Sequence, residues 1–247
     1  MNKPNNTDSR IDKIFLQLST QLQSCNAEDI KFLKKVENIY ITTNVACEIL
    51  EVSKTRILYL CAEGRIECIK KLNKYQIRLI SLFEFNINYY KRYVDLLKKY
   101  DINRILKLFT RHSKFELNEE KQSFIVDFAQ EKKCVYMIVE LDEINEKVLD
   151  ILKVGKADGE SGFRDRIAGY RVNNTKKTNE TLTFMYDTFK KHLLGKNIHI
   201  IKMDIDEYIQ EIPGGFSVPV SYAREVEKFY SFVSCLNGHS MMLSSFS

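Results

Sequence analysis

The stretch "LKVGKADGESGFRDRIAGYR", Leu152 to Arg171, crowds Lys153, Gly155, Lys156, Arg164 and Arg166 into some twenty positions. An apolar strand signal leads into a Gly-rich turn and then into a helix that opens with arginines. Gly155 leaves the strand without a side chain where something must approach closely. A guanidinium keeps its charge and offers paired hydrogen bonds, so the set is suited to an anion with several oxygens, a phosphate above all.

The elements around this stretch define a small domain. "KCVYMIVELD" reads as a strand holding Tyr136, and "KVLDILKVGKA" pairs with it as an antiparallel hairpin. A helix follows over about Gly162 to Tyr170, and "NIHIIKMDID" is a third strand. "VPVSYAREVEKFYSFVSCL" becomes a long amphipathic helix after Pro219. The expected fold is a three-stranded antiparallel sheet flanked by helices. The polar run Val172 to Glu180 reads as a loop.

The first half has a different character. Up to Lys114 the chain carries 21 Lys and Arg against 12 Asp and Glu, while the remainder carries 17 against 21. Such asymmetry favours an anionic partner for the N-terminal half, nucleic acid or a membrane surface. "RIDKIFLQLSTQLQ" is one amphipathic helix. In Tyr40 to Phe85, Thr42 or Thr43 caps a helix with Val45, Ala46, Ile49 and Leu50 on its apolar face. "EVS" breaks that helix, and Ser53 caps a second one carrying Ile57, Leu58 and Leu60. The second helix ends at Gly64, and "RIECI" and "YQIRL" alternate as two strands around "KKLNK".

Two helices on a tight turn followed by a basic hairpin predict a winged helix-turn-helix. In that reading Lys54, Thr55, Arg56 and Tyr59 face the major groove of a duplex, and Lys70, Lys71, Lys74 and Arg78 contact phosphates. The block also resembles the excisionase-like winged-helix DNA-binding domains over some forty-five residues, through its Thr, Ala, Leu, Val-Ser and "EGRI" pattern. Asn88 to His112 keeps a helical period and reads as a connector, and "SKFELNEEKQS" as a linker. The expected division is 1–39, a helical segment; 40–87, the winged helix; 88–122, connector and linker; and 123–247, the second domain.

No run of about 18 apolar residues is present, and the polar start "MNKPNNTDSR" is unlike a signal peptide. The expectation is a cytoplasmic protein, nucleoid-associated when on DNA, with no membrane partner. The six cysteines show no CxxC pair and are read as reduced, mostly core residues, with a zinc site disfavoured. The four histidines form no spaced cluster and are read as structural.

In the second half, "CVYMI", "LKVGKA", "FRDRIAGY" and "AREVEKF" in that order are similar to the GIY-YIG nuclease superfamily, over about Cys134 to Asn237. The resemblance places the first motif's tyrosine at Tyr136 and the second motif at Lys153, Val154 and Gly155. It places the helical arginine at Arg166, with Tyr170 where many members have His. The metal-binding glutamate falls on Glu227 and the late asparagine on Asn237. Cys134 and Val135 replace Gly and Ile, and Lys153 replaces the second tyrosine, a variation like that of some restriction endonucleases of the superfamily.

What this implies is a DNA endonuclease dependent on Mg²⁺ or Mn²⁺, restriction-like (type II) or of a mobile element, cutting duplex DNA with sequence selectivity and working as a homodimer on DNA. Glu227 would hold one metal ion, Arg166 the phosphoryl oxygens, and Tyr136 and Lys153 the proton of the attacking water. The alternative is a transcriptional regulator that binds DNA through a degenerate nuclease fold, an option kept open by Lys153.

Overall fold

In the computed structural model the described residues are 6–22, 27–71, 74–114, 116–118, 123–125, 133–159, 162–163, 191, 194–205, 208–212, 216–220 and 222–243. The chain is a mixed α+β protein with antiparallel sheets, and it divides into two compact units. The first comprises Met1–Asp101 with Cys235–Gly238, and the second Ile102–Ser234 with His239–Ser247. The sequence reading draws its main boundary later, at 122/123. Among the described residues no helix is long and apolar enough to cross a membrane.

In the first unit, helices α1 (Asn6–Leu22) and α2 (Ala27–Val36) precede a short strand β1 (Tyr40–Thr42). Helix α3 (Thr43–Leu50) starts where the Thr42 hydroxyl accepts the Val45 amide, and it stops at Glu51, a left-handed residue with φ 54°. Helix α4 (Lys54–Ala62) is capped by Ser53, whose hydroxyl accepts the Arg56 amide. Ile57, Leu60 and Cys61 form its buried side. Strands β2 (Cys68–Lys71) and β3 (Lys74–Arg78) make the expected hairpin, and β1 adds a third strand on β3 through Ile41↔Ile77. Helices α5 (Leu79–Phe85) and α6 (Asn88–Lys99) complete the unit.

The core of this unit is mainly aliphatic, with one aromatic cluster in it. Phe32, Phe83, Tyr90 and Tyr93 cluster with ring centroids 5.5 to 6.1 Å apart. Each buried phenol finds a partner, Tyr90 on Asp29 and Tyr93 on the Leu236 carbonyl at 2.6 Å. The turn after the last helix belongs here too, with the Asn237 amide donating to the Tyr100 carbonyl at 3.2 Å.

The second unit corrects the expected sheet. After helix α7 (Ile102–Leu106) the chain enters strand β4 (Thr110–Lys114), so the helical connector expected through His112 ends earlier. A hairpin of β5 (Glu116–Asn118) and β6 (Ser123–Ile125) follows. The main sheet has four strands, in the order β4, β9 (Ile198–Asp204), β7 (Cys134–Leu141), β8 (Val148–Ala157), all antiparallel. Strand β4 escapes sequence reading because "TRHSK" has no apolar alternation and pairs with residues some ninety positions away. A further hairpin joins β10 (Tyr208–Ile212) to β11 (Phe216–Val220), and helix α8 (Ala223–Leu236) follows, its last two residues belonging to the first unit.

Strand β7 lies at the centre and is buried on both faces, Glu140 alone being half-buried. Residues 239–243 return along the free edge of β8. The Met241 amide donates to the Ile151 carbonyl at 3.0 Å and the Leu243 amide to that of Leu152 at 2.8 Å.

Candidate active site and basic face

Strand register brings the first two motifs together. Tyr136 sits directly opposite Gly155, and Ile138 opposite Lys153. Facing residues of an antiparallel pair share a side of the sheet, as do residues two apart on one strand, so Tyr136, Gly155 and Lys153 occupy one face. The glycine has a local reason. A Cβ built on Gly155 would lie 2.5 Å from both Cζ and Oη of Tyr136, so the phenol ring crosses the bare backbone. The space that the sequence assigns to an approaching ligand is filled by the tyrosine itself. Phe163 packs against the ring, with centroids 5.4 Å apart, and both aromatics are fully buried.

Lys153 is 4 % exposed, unlike an ordinary surface lysine, and its Nζ donates to the Leu243 carbonyl at 3.4 Å. The acceptor comes from the returning C-terminal segment, ninety positions away in sequence. On the same face but unnoticed in the sequence are Lys202, opposite Tyr136, and Asp204, opposite Cys134, which form an ion pair. The signal for them was the two-residue period of "HIIKMD".

Glu227 lies on α8 in the stripe Ala223, Glu227, Tyr230, Ser234, which is buried or half-buried, whereas Glu225 is exposed. Three and four residue steps along one helix share a face, and two-residue steps do not. Tyr230, one turn on, reaches the Met203 sulfur at 3.5 Å and packs edge-on against Phe109. Met203 pairs with Val135, on the opposite face from Tyr136. Register therefore unites Tyr136, Gly155 and Lys153, and it does not by itself bring Glu227 to them. Asn237 is engaged with Tyr100 in the first unit. Arg164, Arg166, Tyr170, the 172–180 run and His192 lie outside the described residues, as does the side chain of His112. Among the described residues no group of three His, Cys, Asp or Glu is arranged to hold a metal.

The two remaining histidines are tied to protein groups. His199 is buried against the Arg111 guanidinium and Asn197, and burial followed by the charge of Arg111 lowers its pKa. His239 contacts Asp150 at 3.3 Å.

In the first unit, Lys54, Thr55, Arg56 and Tyr59 are all exposed along α4, and the Arg56 guanidinium lies 5.2 Å from the Tyr59 ring centroid. Lys70 and Lys74 are exposed on the hairpin, and the Lys71 side chain lies outside the described residues. Arg78 differs from the expected phosphate contact. Its guanidinium donates to the Glu37 carbonyl at 2.9 Å, to Glu67 at 3.0 Å and to Asn38 at 3.4 Å, and its side chain is only 15 % exposed. Those partners bind β3 to the segments before β1 and β2.

No protein-family model matches the chain, and no curated protein does. Among solved structures it is similar to a mutant of bacteriophage T4 EndoII, at 16 % identity and a TM-score of 0.36, over 56 % of this chain and 93 % of the other.

Proposed function

We propose that the chain is a metal-dependent DNA endonuclease, in which the helix pair and hairpin of the first unit hold a duplex and the second unit hydrolyses a phosphodiester. The observation that carries this reading is the Tyr136 phenol laid across Gly155, with Lys153 buried on the same face. A phenol and an ammonium on one face are groups that proton transfer from a water nucleophile can use.

Glu227 supplies one carboxylate on a half-buried helix face. A single carboxylate fits Mg²⁺ or Mn²⁺, hard cations that keep several waters, better than it fits a closed all-protein cage. When bound, the ion would stabilise charge on the phosphoryl and leaving oxygens. Tyr136 would accept the proton of the attacking water, and Lys153 would favour the phenolate and orient that water. Arg166 would hold the phosphoryl oxygens.

In the first unit, the exposed residues Lys54, Thr55, Arg56 and Tyr59 of α4 would read base edges while Lys70, Lys71 and Lys74 contact phosphates. Arg78 is left out of this set because its guanidinium is already engaged. Sequence-selective cutting of both strands from one site per chain would need two copies on the DNA or two successive nicks.

The test is incubation of unmethylated plasmid and phage DNA with the protein in Mg²⁺ or EDTA, beside Glu227→Ala. Discrete fragments that require both Mg²⁺ and Glu227 are expected. Absence of cleavage on every duplex, with salt-sensitive binding retained, would leave a DNA-binding regulator instead.

A further inference from the structure

Two cysteines unused by phosphodiester chemistry meet where α4 hands over to the hairpin. The helix ends at Ala62, and the chain reverses tightly around Gly64, whose φ is +67°. The Gly64 amide donates to the Cys61 carbonyl at 3.1 Å, and the amides of Arg65 and Ile66 both donate to Leu60, at 3.0 and 3.4 Å. That reversal returns the start of β2 toward the last turn of α4, so that Cys61 and Cys68 face the same cleft. Both are free thiols, Cys61 at 8 % exposure and Cys68 half-buried. Both line one open cleft of about 800 Å³, together with Arg10, Arg65, Glu67 and Phe85.

A cysteine pair sealed in a core is inert packing, but a cleft admits a small oxidant. Cys68 is the more accessible thiol. Burial, reinforced by the neighbouring Cys68, pushes the Cys61 thiol up to about 12, which leaves Cys61 a protonated second reactant.

We propose that Cys61 and Cys68 are a reversible thiol–disulfide site that ties the end of α4 to the base of the β2–β3 hairpin when the protein meets a peroxide. In the first step the Cys68 sulfur attacks a peroxide oxygen. The O–O bond breaks, an S–O bond forms, sulfur gives up two electrons, and the peroxide leaves as water or an alcohol. In the second step the Cys61 sulfur attacks the Cys68 sulfur. The S–S bond forms, the S–O bond breaks, and the hydroxide departs as water with the Cys61 proton. A dithiol reverses the reaction by exchange. The bond would fix the angle between the exposed face of α4 and the hairpin that carries Lys70 and Lys74.

The full chain is treated with hydrogen peroxide, alkylated with N-ethylmaleimide and mapped by mass spectrometry. The expected product is a 61–68 linked peptide about 2 Da lighter than the two thiols, released by dithiothreitol and absent from Cys68→Ala. Hydrogen exchange of the β2 and β3 amides should slow several-fold in the oxidised wild type and stay unchanged in Cys68→Ala treated alike. Both thiols remaining alkylatable after peroxide, or a bond from Cys68 to a different cysteine, would overturn the site. Unaltered exchange with the bond formed would overturn the tie.

Discussion

The phenol of Tyr136 occupies the volume that a side chain at position 155 would need, so the two residues are one steric unit across the β7–β8 pair. The identity of each restricts the other. With Phe163 packed on the ring, the Tyr136 side chain is fixed by its neighbours before any ligand is present.

Gly155→Ala should therefore destabilise the protein by roughly 1–3 kcal/mol, the range for overfilling a packed site. Tyr136→Ala vacates the same volume. The double variant should fall short of the summed single losses by at least about 0.5 kcal/mol, the lower end for residues in contact. Urea denaturation of the four proteins measures this, and additive losses would show that the ring and the glycine do not share space.

Lys153→Met separates chemistry from folding. Methionine keeps most of the volume while removing a buried ammonium whose described acceptor is the Leu243 carbonyl. Stability should change by less than about 1.5 kcal/mol or rise, because a buried charge is costly to desolvate. Cleavage should fall by about 10²-fold or more if Lys153 assists proton transfer. Wild-type cleavage by Lys153→Met would contradict the role.

The basic residues of the first unit should sort into two behaviours. Arg78→Ala strips partners from Glu37, Glu67 and Asn38 and should cost about 1–3 kcal/mol, the penalty for leaving part-buried polar groups unpaired. Lys70→Ala and Lys74→Ala should leave the melting temperature within about two degrees, since exposed substitutions rarely exceed ~0.5 kcal/mol. On duplex DNA each should reduce the salt slope by about 0.9. Fluorescence anisotropy over a salt series tests this, and a slope change for Arg78→Ala alone would reverse the assignment.

Acid should loosen the returning C-terminal segment before it unfolds the rest. Burial would push the Asp150 carboxyl up, but hydrogen bonds from His239 and Ser240 outweigh it and hold the pKa below the usual carboxylate value. A carboxylate with a lowered folded pKa contributes stability that is fully present above its unfolded pKa of about 4 and is lost as pH falls through the folded value. Asp150→Asn should remove this component, flattening the fall in melting temperature below about pH 4. An unchanged acid limb would place the linkage elsewhere.

What the sequence reveals follows the range of the forces involved. The boundaries of α3 and α4 are legible because Thr42 and Ser53 act within three residues of themselves. The β7–β8 hairpin is legible from its apolar runs. The fate of Arg78 depends on Glu37, forty-one positions away, and the burial of Lys153 on a carbonyl ninety positions away, so neither leaves a local mark. Gly155 was legible as a place of close approach, but only the strand register reveals that the approaching group is Tyr136. The fourth strand was hidden because an edge strand with polar residues carries no periodic signal.

The turn at Cys235–Gly238 has a consequence for inheritance. It belongs to the first unit, where the Leu236 carbonyl receives the Tyr93 phenol and the Asn237 amide reaches Tyr100. A gene segment ending at Asp101 would encode nearly all of that unit yet leave the Tyr93 hydroxyl, on a side chain 1 % exposed, without its acceptor. A single crossover at Asp101 therefore cannot transplant the unit with that hydrogen bond intact.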